Sequence, residues 1–122
     1  MKYLWLVLLL TLAPACRHAP PTVSTRAQLA FQGTRVIKAL DLIRDFAVDG
    51  NAQAPPLIST PTTRKVVTYH RSAITLVHDI PSGWKQTLLT GLDETVKDLP
   101  DGEGQKLAPY VGLVRAVLAE VP

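Results

Sequence analysis

Cys16, Ser72, His70, His78 and the acidic residues Asp93, Glu94, Asp101 and Glu103 are the side chains of this sequence whose types could carry chemistry. Cys16 is the only cysteine, so no intrachain disulfide can form and its thiol is either free or modified. His70 and His78 stand eight residues apart, about 80° around a helix of 3.6 residues per turn. No third cysteine or histidine stands close by, and no metal site is expected. His70 falls on an apolar stripe, where a hydrogen-bonded histidine is the ordinary outcome, and His78-Asp79 falls where a helix C-terminus favours a cation. Ser72 lies mid-helix, without the sharp turn and oxyanion loop that activate a nucleophilic serine. Asp93 and Glu94 are neighbours that point about 100° apart on a helix, so they do not converge as an acid/base pair. Asp101-Gly102-Glu103-Gly104 is too short for a calcium loop and lacks its terminal bidentate glutamate; it reads as a turn and cap. The sequence points to no catalytic residue, no metal and no cofactor, and to a protein that is not an enzyme.

Cys16 acquires meaning from what precedes it. Met1-Lys2 is followed by an apolar run from Tyr3 to Ala13 and then by Ala13-Pro14-Ala15-Cys16. A cation, a short apolar stretch and small residues before a cleavage point are the parts of a secretory signal. The run is too short to span a bilayer, which takes about 20 apolar residues. Cleavage after residue 15 leaves 107 of the 122 residues and lowers the net charge from +3 to +2, because Lys2 departs. A balance that mild offers no dense basic face for nucleic acid.

Leu12-Ala13-Pro14-Ala15-Cys16 resembles the lipobox of bacterial and phage lipoprotein precursors, with Ala13 where leucine is commonest and Pro14 after it. The resemblance covers residues 1–16. It implies a lipidated Cys16 of the diacylglyceryl and palmitate kind and a mature chain tethered to a membrane on its periplasmic or extracytoplasmic side. Arg17 is not the aspartate associated with inner-membrane retention, which favours the outer membrane where there are two. Ala13-Pro14-Ala15 also satisfies the small-x-small rule for ordinary signal peptidase at the same bond, so both routes begin the mature chain at Cys16. Residues 16–24, short, polar and proline-bearing, read as a lipidated N-terminus and extended tether.

The body, 25–122, divides into four periodic segments, and periodicity of this kind means amphipathic helix. Thr25-x-x-Gln28 forms a capping box, with Ser24 as the alternative cap. Val36, Leu40, Ile43 and Ala47 then carry a stripe through a helix over about 25–49. Thr60-Pro61 opens a second over about 61–80, Pro61 fitting the first helical position, with Val66, His70, Ala73, Val77 and Ile80 inward. Pro81-Ser82-Gly83 breaks that run, and Ser82 can cap a third helix over about 83–99. Its stripe is Leu89, Leu92, Val96 and Leu99, with Trp84 and Leu88 at the near end. Pro100-Asp101-Gly102 turns the chain into the last segment, 103–121, with Leu107, Tyr110 or Val111, Val114, Val117 or Leu118, and Val121 inward. Pro109 implies a break or kink near 109. Short connections favour antiparallel neighbours, so the expected fold is all-α: a small up-down four-helix bundle after a cleaved signal peptide and a short tether.

Asp41, Asp45 and Asp49 repel one another along the first helix, and Arg64, Lys65 and Arg71 on the second are expected to offset them. Tyr69, Trp84 and Tyr110 are the aromatics suited to a contact patch. The functional expectation is a small exported lipoprotein, held to the membrane through Cys16, that serves an unspecified protein partner as an accessory envelope or phage factor. The alternative is binding of a small apolar ligand or lipid within the helical core.

Overall fold

The computed structural model describes residues 25–121, with side chains from residue 31 onward. Four helices follow in order: α1 Thr25–Asn51, α2 Thr60–Asp79, α3 Trp84–Val96 and α4 Glu103–Glu120. Among the described residues there is no strand, and the fold is a small all-α four-helix bundle. Each helix packs on the next and α4 closes the ring against α1.

Every neighbouring pair runs antiparallel. Thr63 near the start of α2 donates its hydroxyl to the Ala47 carbonyl near the end of α1, while Gly33 at the other end of α1 lies against Val77. Tyr69 of α2 reaches Leu88 of α3. The Lys85 ammonium at the start of α3 binds the Val121 carbonyl beyond α4, 2.7 Å away. Phe46 of α1 stacks on Tyr110 of α4 with ring centroids 4.5 Å apart.

The expected stripes supply the core. Val36, Leu40, Ile43 and Ala47 are buried from α1, and Val66, Ala73 and Val77 from α2. On α3 the deepest residues are Leu88 and Leu92, with Leu89, Val96 and Leu99 packed around them. On α4 they are Leu107, Val111, Val114, Val117 and Leu118, closed by Val121, while Tyr110 is half-buried. Ile58 is the addition: although it sits in the loop after α1, it is fully buried and presses on Gly50, where a Cβ would stand 3.0 Å from its Cγ1.

Helix ends depart from the sequence reading in ways that local chemistry explains. Ser59, one residue before Thr60, is the N-cap of α2, and Pro61 lies in its first turn. Gly83, not Ser82, precedes α3, and Gly102 precedes α4; both take a left-handed backbone, with φ of 74° and 70°. Glycine adopts that conformation without the Cβ penalty. Helix α2 stops at Asp79, and Ile80 becomes a left-handed C-cap instead of the last core residue. Helix α4 runs through Pro109 as one helix; Pro109 and Gln105, the residue whose carbonyl it cannot serve, both belong to the exposed side. The proposed Thr25–Gln28 cap and Cys16 lie outside the described side chains.

Candidate functional site

Three places in the bundle gather polar or accessible groups. The first is a knot around Glu103. This residue opens α4 and is only 3% exposed. Its carboxylate accepts the Ser59 backbone N–H at 2.5 Å, the Ser59 hydroxyl at 3.1 Å and the Thr62 hydroxyl. A helix start leaves its first backbone N–H groups without intrahelical partners, and in a capping box a glutamate at the third helical position returns to the N-cap N–H. Here Thr62 holds that third position of α2, and Glu103 supplies the missing carboxylate from α4. Burial pushes its carboxyl pKa up, but the bonds from Thr62 and Ser59, with the Lys106 charge, outweigh it and hold the group below its ordinary value. Around this knot, Asn51 donates to the Ile58 carbonyl and to the Thr60 hydroxyl, and Lys106 to the Leu57 carbonyl. The Glu103 carboxylate is thus consumed by structural bonds.

The second gathering is Asp41, Arg44 and His70. The His70 Nε2 lies 2.7 Å from the Asp41 carboxylate, so this nitrogen carries the proton donated to it. The Arg44 guanidinium grips Asp45 at 2.9 Å and reaches within 3.6 Å of Asp41. Asp41 and Asp45 are therefore offset by Arg44 of their own helix, and Asp41 also accepts a hydrogen bond from His70. The expected partners Arg64, Lys65 and Arg71 are exposed on α2, away from them. Side-chain direction decides this: His70 sits on the inward edge facing α1, whereas the three cations occupy other sides of the helix. Ser72 is exposed and turns its hydroxyl to the Thr68 carbonyl of its own helix, so it does not join His70. Asp93 pairs with Arg115 of α4, while Glu94 faces α2 across a groove.

That groove, between α2 and α3, is the third place. Its volume is about 680 Å³, with Arg64, Lys65, Thr68, Tyr69 and Glu94 among its lining. A smaller groove of about 520 Å³ runs between α3 and α4, past Leu89 and Arg115. Both lie between helix pairs; Leu40, Ile43, Leu92 and Leu107 of the central core line neither.

The three aromatics of the expected contact patch have separate surroundings. Tyr69 is buried, with its hydroxyl 2.8 Å from the Leu88 carbonyl and its ring against Gly91. Burial, and then the Asp93 charge, raise its hydroxyl pKa above the ordinary tyrosine range. Tyr110 stacks on Phe46, and Trp84 is half-buried at the start of α3. The structure does not bring them together as one patch, and Tyr69 presents no hydroxyl to a partner. Among the described residues no three His, Cys, Asp or Glu side chains gather as metal ligands, and no described helix is long and apolar enough to cross a membrane.

Sequence reasoning placed Glu103 in a turn and cap at the start of the last helix, and missed that it caps the start of α2. A signal for it exists: Ser59-x-x-Thr62 starts a helix but has no glutamate at its third position, so that cap needs an acceptor from elsewhere. Comparison of the chain with protein-family models, curated proteins and solved structures finds no match.

Proposed function

We propose that this chain is a small exported lipoprotein whose helical bundle works by contact with another protein. Residues 1–15 are the signal peptide, Cys16 carries the lipid, and 16–24 tether the bundle to the extracytoplasmic face of a membrane, the outer one where two are present. The bundle is a non-enzymatic accessory factor of the envelope or of a phage. The observation that carries this reading is the N-terminal pattern: one cation, an apolar run too short to span, and small residues ending at the only cysteine. The buried Glu103 carboxylate supports its non-enzymatic half, since it is occupied by the Ser59 and Thr62 donors.

Intact mass of the membrane-extracted protein tests the anchor. The expected species begins at Cys16 and carries acyl chains, and Cys16→Ser releases the protein from the membrane. A mature mass that retains residues 1–15, or lacks acyl chains, overturns it. Crosslinking at native abundance followed by mass spectrometry tests the contact role. A defined partner crosslinked through the helical domain is the expected result, and recovery of this chain alone overturns it.

A further inference from the structure

We propose that the end of the bundle bearing the α2–α3 turn is a bilayer-resting surface, with Ile80 and Pro81 seated in the interfacial layer of the membrane that anchors the chain. This deepens the lipoprotein reading and rests on it. The first support is where the preceding chain joins. Helix α1 begins at Thr25, and its early residue Gly33 lies against Val77 near the end of α2. The chain from Cys16 therefore enters the bundle at the same end as the turn. Eight residues separate Cys16 from Thr25, a reach of at most about 30 Å when extended, so this end stays within that distance of the membrane.

The second support is what that end displays. Ile80, Pro81, Ser82 and Gly83 are all exposed, and Trp84 is half-buried behind them. Phe31, at the same level on the outer side of α1, is the most exposed large apolar side chain described, at 67%. No acidic residue occurs from Ile80 to Leu92. Asp79 precedes the turn next to His78, and Glu120 at this end is paired with Arg35. Charge does not separate the ends: the far one presents Asp49, Asp98 and Asp101 beside Arg64, Lys65, Lys97 and Lys106, all exposed. Tryptophan at the rim of an apolar tip is the side chain that suits the headgroup level.

The third support is backbone conformation. Ile80 has φ 47° and ψ 52°, a left-handed position where a β-branched residue is strained and where glycine or asparagine is the ordinary choice. Its side chain stays 39% exposed, so burial within the bundle recovers only part of that strain. A bilayer interface gives the exposed part an apolar environment.

The test uses the full mature protein, reconstituted in phosphatidylethanolamine–phosphatidylglycerol vesicles. Acylation blocks Cys16, so Ser82→Cys supplies the single reactive thiol for a nitroxide, and Ala54→Cys does the same in the loop at the far end. The expected result is loss of collision with an aqueous nickel chelate and gain of collision with oxygen at position 82, with the reverse at 54. Adding Ile80→Asn returns the label at 82 to the aqueous phase while the melting temperature holds or rises, because asparagine relieves the left-handed strain. A merely structural role for Ile80 predicts a lower melting temperature and no change at the label. An acylated protein whose labels are equally aqueous at 82 and 54 overturns the resting surface and leaves the lipoprotein reading standing. A mass without acyl chains overturns the lipoprotein reading, and the resting surface falls with it unless added vesicles still dry the label at 82.

Discussion

At the end of the bundle away from Thr25, a buried carboxylate from α4 stitches the start of α2 to the start of α4, and Asn51 and Lys106 tie the intervening loop to both. At the other end, a four-residue connection displays Ile80 and Pro81, and its side-chain ties include the Thr87 hydroxyl on the Gly83 carbonyl, the Lys85 bond to Val121 and the exposed pair of Arg35 with Glu120. Polar groups removed from water must be matched inside the molecule, and the far end matches them, so its chemistry is spent on stability. Apolar groups left in water have no such match, and they are what a membrane or a partner can use. The buried charged group therefore marks the far end, whereas apolar exposure occurs at both, with Val48 43% exposed at the far end and Ile80 39% at the other.

The largest expected effect breaks the far end. Glu103→Ala leaves the Ser59 N–H and the Thr62 hydroxyl buried without their acceptor, which costs about 2–3 kcal/mol, read as a lower midpoint in urea. Glu103→Gln keeps an acceptor but not the charge, and its loss is smaller. The acid limb follows in sign. The Glu103 carboxyl titrates below its ordinary value of 4.5, so its contribution is fully present above that pH and is lost as the pH falls through the lowered value. Melting temperature against pH is expected to fall more steeply in the wild type than in Glu103→Gln, with the two curves converging at strongly acid pH. Parallel curves would show that the carboxylate is not the acid-sensitive group of this end.

A control with the same backbone chemistry at both ends comes next. Gly83 and Gly102 each precede a helix with a positive φ and with open space where a Cβ would stand. Gly83→Ala and Gly102→Ala are each expected to cost about 1 kcal/mol, the left-handed penalty of an L-residue. Calorimetry that finds equal losses shows that the ends differ in side chains and not in turn geometry. A much larger loss at Gly102 shows that the turn and the Glu103 knot act as one unit.

These two ends also mark where the sequence was legible. The interior was: Val36, Leu40, Ile43 and Ala47 recur at helical spacing, and burial follows the spacing because one apolar stripe has one place to go. Pro81 and Gly102 punctuated it for the same reason, since neither suits a helix interior. Ile80 fitted the stripe of α2 equally well yet left the core, because periodicity does not register where a helix stops. Glu103 stayed hidden because its partners are 41 and 44 residues away, and a pairing that distant leaves no local pattern. The offset of the α1 aspartates failed likewise: charge alone nominated Arg64, Lys65 and Arg71, whereas side-chain direction chose His70 and Arg44.

The smallest effect sharpens the comparison by setting carboxylate against carboxylate. Glu120 pairs with Arg35 across α4 and α1, with side chains 56% and 41% exposed. Water screens such a pair and ordering two long side chains offsets the attraction, so exposed ion pairs contribute little. Glu120→Gln is expected to change stability by less than about 0.5 kcal/mol, and salt is expected to erase the remainder. Denaturation at low and high ionic strength measures both, beside Glu103→Gln under the same conditions. The Glu103 variant should keep its deficit in salt, because buried partners are poorly screened. If the two variants respond alike, burial is not what separates the ends, and the contrast between an end stitched by a buried carboxylate and one without it loses its physical basis.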